Sequence, residues 1–236
     1  GRIVGALSAG PGELIVEIGP GEGALTEQLA DLGHPLRLIE IDPLLVDRLR
    51  ARFEGESVEV IHGDALDVEL PETPFRAVGN LPYNVANPII RRVLSAESCS
   101  GAVFMIQREV AERYTASPGD PAYGFLTVVT RLYAEPRVVL KLGPGSFFPR
   151  PKVSSAVVKF QVRDPKLTNS RSTLEEIMSM SFRQRRKKLS NNLSGWNGLE
   201  KADVERAMNE AGLDDGTRAE TLGLDDFDRL ATALLR

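Results

Sequence analysis

A single cysteine, Cys99, excludes an internal disulfide, and a reducing, cytoplasmic setting is the default expectation for such a chain. Histidine is almost as scarce. His34 and His62 are the only imidazoles and neither lies near the cysteine, so no metal site is expected. No apolar run reaches the roughly 20 residues that cross a bilayer, and no secretory leader pattern opens the chain. A membrane partner is therefore not expected. Positive charge is also short: 29 Lys and Arg stand against 33 Asp and Glu, a formal net charge of −4. That balance speaks against a polyanionic ligand only weakly, because affinity for one depends on where charge is placed more than on its sum. Internal repeats and low-complexity tracts are absent.

What is present is an ordinary globular composition, 42% hydrophobic and 26% charged over 236 residues, enough for one large domain with a small appendage. Apolar, β-branched segments at Glu13 to Ile18, Leu36 to Ile41, Val58 to Ile61, Phe75 to Val78 and Ala102 to Ile106 read as buried strands. Helical periodicity separates several of them. Leu25, Leu29 and Leu32 form one stripe, closed by Gly33. Leu45, Leu49 and Phe53 form another, preceded by Asp42 as N-cap and Pro43 at the first helical position. Pro88 to Leu94 is a third helix. Strands alternating with amphipathic helices predict an α/β fold, a parallel sheet covered on both faces. Val138 to Leu142 and Val153 to Val162 are expected to close it as a hairpin, across an irregular Pro- and Gly-rich linker. Composition changes after Asp164-Pro165, and no convincing strand follows. The boundaries read as 1–164 for the α/β domain and 165–236 for a small all-helical one, with a single helix from Ser172 to Leu193.

Two constellations carry chemistry. Glu17-Ile-Gly-Pro-Gly-Glu-Gly23 joins the first strand to the first helix, where glycines admit a sharp turn and a close ligand. Glu40 ends the second strand, placed to accept from ribose hydroxyls, and Asp64 follows the third, placed to accept from an adenine amino group. Taken singly, Glu40 is equally a solvated strand end and Asp64 a turn former. Their conjunction at successive strand ends predicts a nucleoside-containing cofactor. The glycines run G-x-G-x-G and not the G-x-G-x-x-G of dinucleotide sites, a form that suits a cofactor without a pyrophosphate.

The second constellation is Asn80-Leu-Pro-Tyr83, after the fourth strand. An adenine amino group is a poor nucleophile because its lone pair is delocalised into the ring. Two acceptors taking both amino hydrogens would aim that lone pair at an electrophile. The Asn80 side-chain oxygen and the Leu81 carbonyl are the candidates. Pro82 restricts Leu81 to an extended conformation, which helps to aim the carbonyl. Tyr83 offers a flat face to an extruded base.

On these residues the chain resembles the ribosomal RNA adenine N6-dimethyltransferase family, in its bacterial small-subunit, kasugamycin-resistance type. Further matching stretches are Ile39-Glu-Ile-Asp42, Gln107-Arg-Glu-Val110, Phe147-Phe-Pro-Arg-Pro-Lys-Val153 and Phe182-Arg-Gln-Arg-Arg-Lys-Lys-Leu189. The resemblance implies a Rossmann-like class I methyltransferase fold, with a mostly parallel seven-stranded sheet, and S-adenosylmethionine as cofactor. It places Gly19, Gly21, Glu40, Ile41, Asp64, Ala65 and Asn80 around that cofactor. Asn80, Leu81, Pro82 and Tyr83 would hold the target base, with Phe147 as a second aromatic wall and its neighbour Phe148 as the alternative. The implied substrate is a pair of adjacent adenines in a hairpin loop near the 3′ end of small-subunit rRNA, met within a pre-30S particle by a monomeric, cytoplasmic enzyme. Family members carry a basic segment with a Gln-Asn-Phe-Leu motif ahead of the first strand. This chain opens at Gly1-Arg-Ile-Val4, part-way along the helix that would follow, and is read as lacking that segment.

Cations cluster where such an RNA would need them. The run Arg183-Gln-Arg-Arg-Lys-Lys188 gives Arg183, Arg185, Arg186 and Lys187 as candidate phosphate contacts, with Arg108, Arg150 and Lys152. Three other readings stay open on the residues: a large-subunit rRNA adenine methyltransferase, a ribosome-assembly factor whose methylating site is idle, and an NAD-dependent oxidoreductase. The last is disfavoured by the glycine spacing and by the lack of a His or Lys suited to a hydride site.

Overall fold

Five apolar segments pair as parallel strands in the computed structural model, which describes residues 2–143 and 154–236. A short helix, α1 (Arg2–Leu7), precedes β1 (Leu14–Ile18). Then follow α2 (Ala24–Ala30), β2 (Leu36–Glu40), α3 (Pro43–Arg52), β3 (Val58–His62), β4 (Phe75–Asn80), α4 (Ala86–Ser95) and β5 (Cys99–Gln107). The sheet is completed by β6 (Ala134–Leu142) and β7 (Ser155–Val162), an antiparallel pair laid against β5. Its order is β3-β2-β1-β4-β5-β7-β6, the mostly parallel seven-stranded sheet that was expected.

This order fixes where a ligand can sit. From β1 the chain builds outward to β2 and β3, then returns to lay β4 on the other side of β1. The reversal opens a crevice at the carboxyl ends of β1 and β4, the place where open α/β sheets bind ligands. The two strands are unusually close there. A Cβ on Gly79 would lie 2.4 Å from the Ile18 carbonyl oxygen, so only glycine lets β4 pass β1 at this point. Both faces of β1 are covered: Ile15, Val16, Glu17 and Ile18 are all buried, as expected for a central parallel strand.

Local signals account for the helices. Asp42 caps α3, its Oδ1 accepting from Leu44 N at 2.9 Å, and Pro43 follows at the first helical position. The buried residues of α3 are Val46 and Leu49, with Phe53 just beyond, so the stripe runs one residue on from the expected Leu45. Leu32 was expected on the apolar face of α2. The helix ends at Ala30 and Leu32 is 49% exposed in the turn that follows. Cys99 is buried, and desolvation pushes its thiol up to about 11, which leaves it inert.

The chain divides into two compact units, residues 1–111 with 134–162, and residues 112–133 with 163–236. A single cut at residue 164 was expected. The segment 112–133 instead joins the second unit, because Tyr123, Val128, Val129 and Leu132 belong to its apolar core. Tyr123 also donates from its hydroxyl to Leu222 O at 2.5 Å. This stretch contains α6 (Phe125–Thr130), and α5 (Arg108–Thr115) leads into it. Neither helix was anticipated, and Leu-Thr-Val-Val-Thr in α6 carries β-branched residues that read as strand.

The rest of the second unit comprises α7 (Arg171–Ser181), α8 (Leu189–Leu193), α9 (Lys201–Glu210) and α10 (Leu224–Leu234), around Leu174, Ile177, Trp196, Phe227 and Leu230. The single helix expected from Ser172 to Leu193 is broken between α7 and α8. Continued helix would set five cations on neighbouring turns, where like charges repel. The break is also stabilised chemically: Asn192 Nδ2 donates to Ser181 O at 2.7 Å, a carbonyl that the end of α7 leaves open, and to Gln184 O at 3.2 Å in the connection beyond.

Candidate active site

The site grows from the turn after β1. Gly19 and Gly21 have φ of +66° and +59°, a conformation that side chains disfavour. The turn is held from β2. Glu40 Oε2 accepts from Gly21 N at 3.1 Å, and its Oε1 accepts from Ile41 N at 2.9 Å and Asp42 N at 3.0 Å. A buried carboxylate on three backbone donors is well satisfied, so Glu40 shapes the glycine turn from the neighbouring strand end.

Glu17 lies inside β1, buried, and accepts from Thr26 Oγ1 at 2.7 Å. Desolvation pushes its pKa up to about 7; the Thr26 hydrogen bond opposes the shift and the charge of Glu40 adds to it. Beyond β3, Asp64 opens a tight turn, its Oδ1 accepting from Leu66 N at 2.8 Å. Gly63 N donates to Glu40 O at 2.9 Å, which links this turn to the end of β2.

Asn80 ends β4 and is exposed, whereas the next side chain, Leu81, is buried and its N–H donates to Met105 O at 3.1 Å. That bond pins the motif to β5. Tyr83 is 41% exposed, and its hydroxyl lies 3.3 Å from the buried Ser155 Oγ at the start of β7. The residue thus stays accessible while its phenol is tethered to the sheet.

A cavity of about 530 Å³ opens at this edge of the sheet, lined by Glu17, Gly19, Gly21, Gln28, Asn80 and Met105 among others. It brings together Gly19, Gly21 and Asn80 from the expected set. Glu40, Ile41, Asp64, Ala65 and Tyr83 are not among its lining residues; they stand at the ends of β2, β3 and β4 or just beyond. Phe147, Phe148, Arg150 and Lys152 lie outside the described residues. Arg108 is exposed at the end of β5, and residues 183–188 are all exposed in the connection between α7 and α8. Arg185 is engaged there, donating to Pro121 O at 2.5 Å and lying 3.8 Å from Glu220. Sequence reasoning missed Glu17 as a lining residue. The available signal was a lone carboxylate inside an apolar strand, directly ahead of the glycines.

A crevice at the β1/β4 reversal, a glycine turn and an amide beside it define an S-adenosylmethionine-dependent methyltransferase of class I. The residues fit that cofactor. The cavity is of ligand size, the turn leaves room where side chains would intrude, and the buried acid Glu17 and the exposed amide Asn80 both line it. Comparison with known proteins then narrows the class. The small-subunit rRNA methyltransferase A of Geobacter sulfurreducens is 39% identical over 246 residues, covering 99% of this chain and 89% of its own length. Two solved structures align along nearly the whole chain. The 23S rRNA methyltransferase ErmE shares 30% identity with a TM-score of 0.79, covering 100% of this chain and 96% of its own. A dimethyladenosine transferase from Plasmodium falciparum shares 25% identity with a TM-score of 0.81, covering 97% and 92%. Residues 1–234 match the family described as ribosomal RNA adenine dimethylase, and the chain belongs to it.

Proposed function

We propose that this chain transfers methyl groups from S-adenosylmethionine to N6 of two adjacent adenines in a hairpin loop near the 3′ end of small-subunit rRNA. The observation that carries the reading is the position of Asn80. It lines the same cavity as Gly19 and Gly21 while Tyr83, three residues on, stays exposed. The cofactor, when bound, supplies an electrophilic methyl on a sulfonium. Asn80 and the Leu81 carbonyl accept the two amino hydrogens of the target adenine and turn its lone pair toward that methyl. Tyr83 stacks on the extruded base, and Ser155 holds the phenol. Positioning and fixed dipoles carry the catalysis; no side chain need remove a proton before transfer.

Glu40 and Asp64 hold the adenosyl part of the cofactor, and Gly19 lies against its methionine part. The exposed Arg183, Arg186 and Lys187 meet phosphates, which position the RNA without specifying it. The 39% identity to a small-subunit enzyme, against 30% to the 23S enzyme ErmE, favours 16S over 23S rRNA as substrate. The pre-30S particle, in the cytoplasm, is where that RNA is met. Incubating the protein with labelled S-adenosylmethionine and undermethylated small or large subunits tests this. Dimethyladenosine at two neighbouring positions of small-subunit RNA is expected; label confined to large-subunit RNA would contradict it.

A further inference from the structure

The turn that carries Asp64 is held at both ends by side chains. Asp67 N and Val68 N both donate to Asp64 O at 2.9 Å, closing one helical turn, and Asp64's own carboxylate meets Leu66 N at its start. A lone turn leaves its last carbonyls without donors of its own. Arg92, from α4, supplies them: its Nη1 donates to Ala65 O and to Val68 O, each at 2.7 Å. Both hydrogens of that nitrogen are thereby used. The helix that carries Arg92 is anchored by the buried Ile89, Ile90 and Val93, and it begins at Ala86, just past Tyr83.

We propose that Arg92 is a positioning residue for cofactor binding, holding the Asp64 turn in register with the segment that carries Asn80 and Tyr83. The proposal rests on the reading of Asp64 as a partner of the cofactor's adenine. The Arg92 guanidinium is committed inward, at two carbonyls of the turn on which Asp64 sits. A lysine would keep the charge, but its side chain ends one bond short of the Nη1 that alone meets both oxygens.

The test measures S-adenosylhomocysteine affinity by calorimetry and methyl transfer by kinetics, at a temperature where circular dichroism shows every variant folded. Arg92→Ala is expected to raise Kd for S-adenosylhomocysteine and KM for S-adenosylmethionine about tenfold, the size of a lost charged hydrogen bond. The KM for RNA should stay unchanged and kcat within about twofold. Arg92→Lys should fall between the two, and it serves alone if the alanine variant does not fold. Asp64→Ala should weaken the same affinity, and adding Arg92→Ala to it should cost less than the sum of the two single effects. An unchanged Kd in Asp64→Ala would sink the premise that Asp64 meets the adenine. A raised Kd in Asp64→Ala with an unchanged Kd in the Arg92 variants, or a loss confined to the KM for RNA, overturns the role of Arg92 alone.

Discussion

Burial sets the behaviour of Glu17. Its carboxyl is pushed up from an ordinary value of 4.5 to about 7 in the folded chain. A raised folded pKa means the group favours folding below about 4.5, an advantage lost as pH rises through 7. Glutamine keeps the acceptor for Thr26 without the charge. The stability of Glu17→Gln relative to the parent should therefore grow from acid pH to pH 7 and level off above it, by on the order of 3 kcal/mol. Urea unfolding across that range checks this, and a difference independent of pH would contradict it. Ser155 offers a second residue-scale test. Removing its hydroxyl leaves the Tyr83 phenol untethered, so Ser155→Ala should lower kcat several-fold with cofactor affinity unchanged. Three residues of the cavity lining, Gly19, Gly21 and Asn80, were legible at this scale, because buried parallel strands are apolar runs and these residues punctuate their ends. The role of Glu17 was not, since its burial is created by neighbours distant in sequence.

Among the elements, the contact between β1 and β4 is the least tolerant. Gly79→Ala would drive a Cβ to 2.4 Å from Ile18 O, so the strands must part. A loss of about 1–3 kcal/mol is expected, the range for overpacked cores, with weaker S-adenosylhomocysteine binding because Asn80 is the next residue. Melting and calorimetry on that variant measure both. The basic connection between α7 and α8 behaves differently. Five cations among residues 183–188 are exposed, and each phosphate contact contributes about 0.7–1 to the salt slope of RNA affinity. Arg186→Ala with Lys187→Ala should flatten that slope by about 1.5–2 and leave the melting temperature alone. Arg185→Ala should also lower stability, through the lost bond to Pro121 O. The periodicity of this stretch did not reveal its break, because the amide that caps α7 comes from Asn192, eleven residues beyond Ser181.

For the molecule as a whole, two separate cores explain why the boundaries were only half readable. A change of composition marks the return into the second unit after Val162. Nothing local marks the departure of residues 112–133, whose Tyr123 and Leu132 join a core built mainly from residues far downstream. Net charge was equally uninformative, since −4 averages a cationic stretch at 183–188 against acids spread elsewhere. The proposed chemistry depends most on Asn80 acting on the target amine and not on the fold. Single-turnover methyl transfer to undermethylated small subunits by Asn80→Ala, with S-adenosylhomocysteine affinity measured alongside, tests it most directly. A rate at least about a hundredfold lower with binding changed only modestly is predicted. A near-normal rate would contradict it.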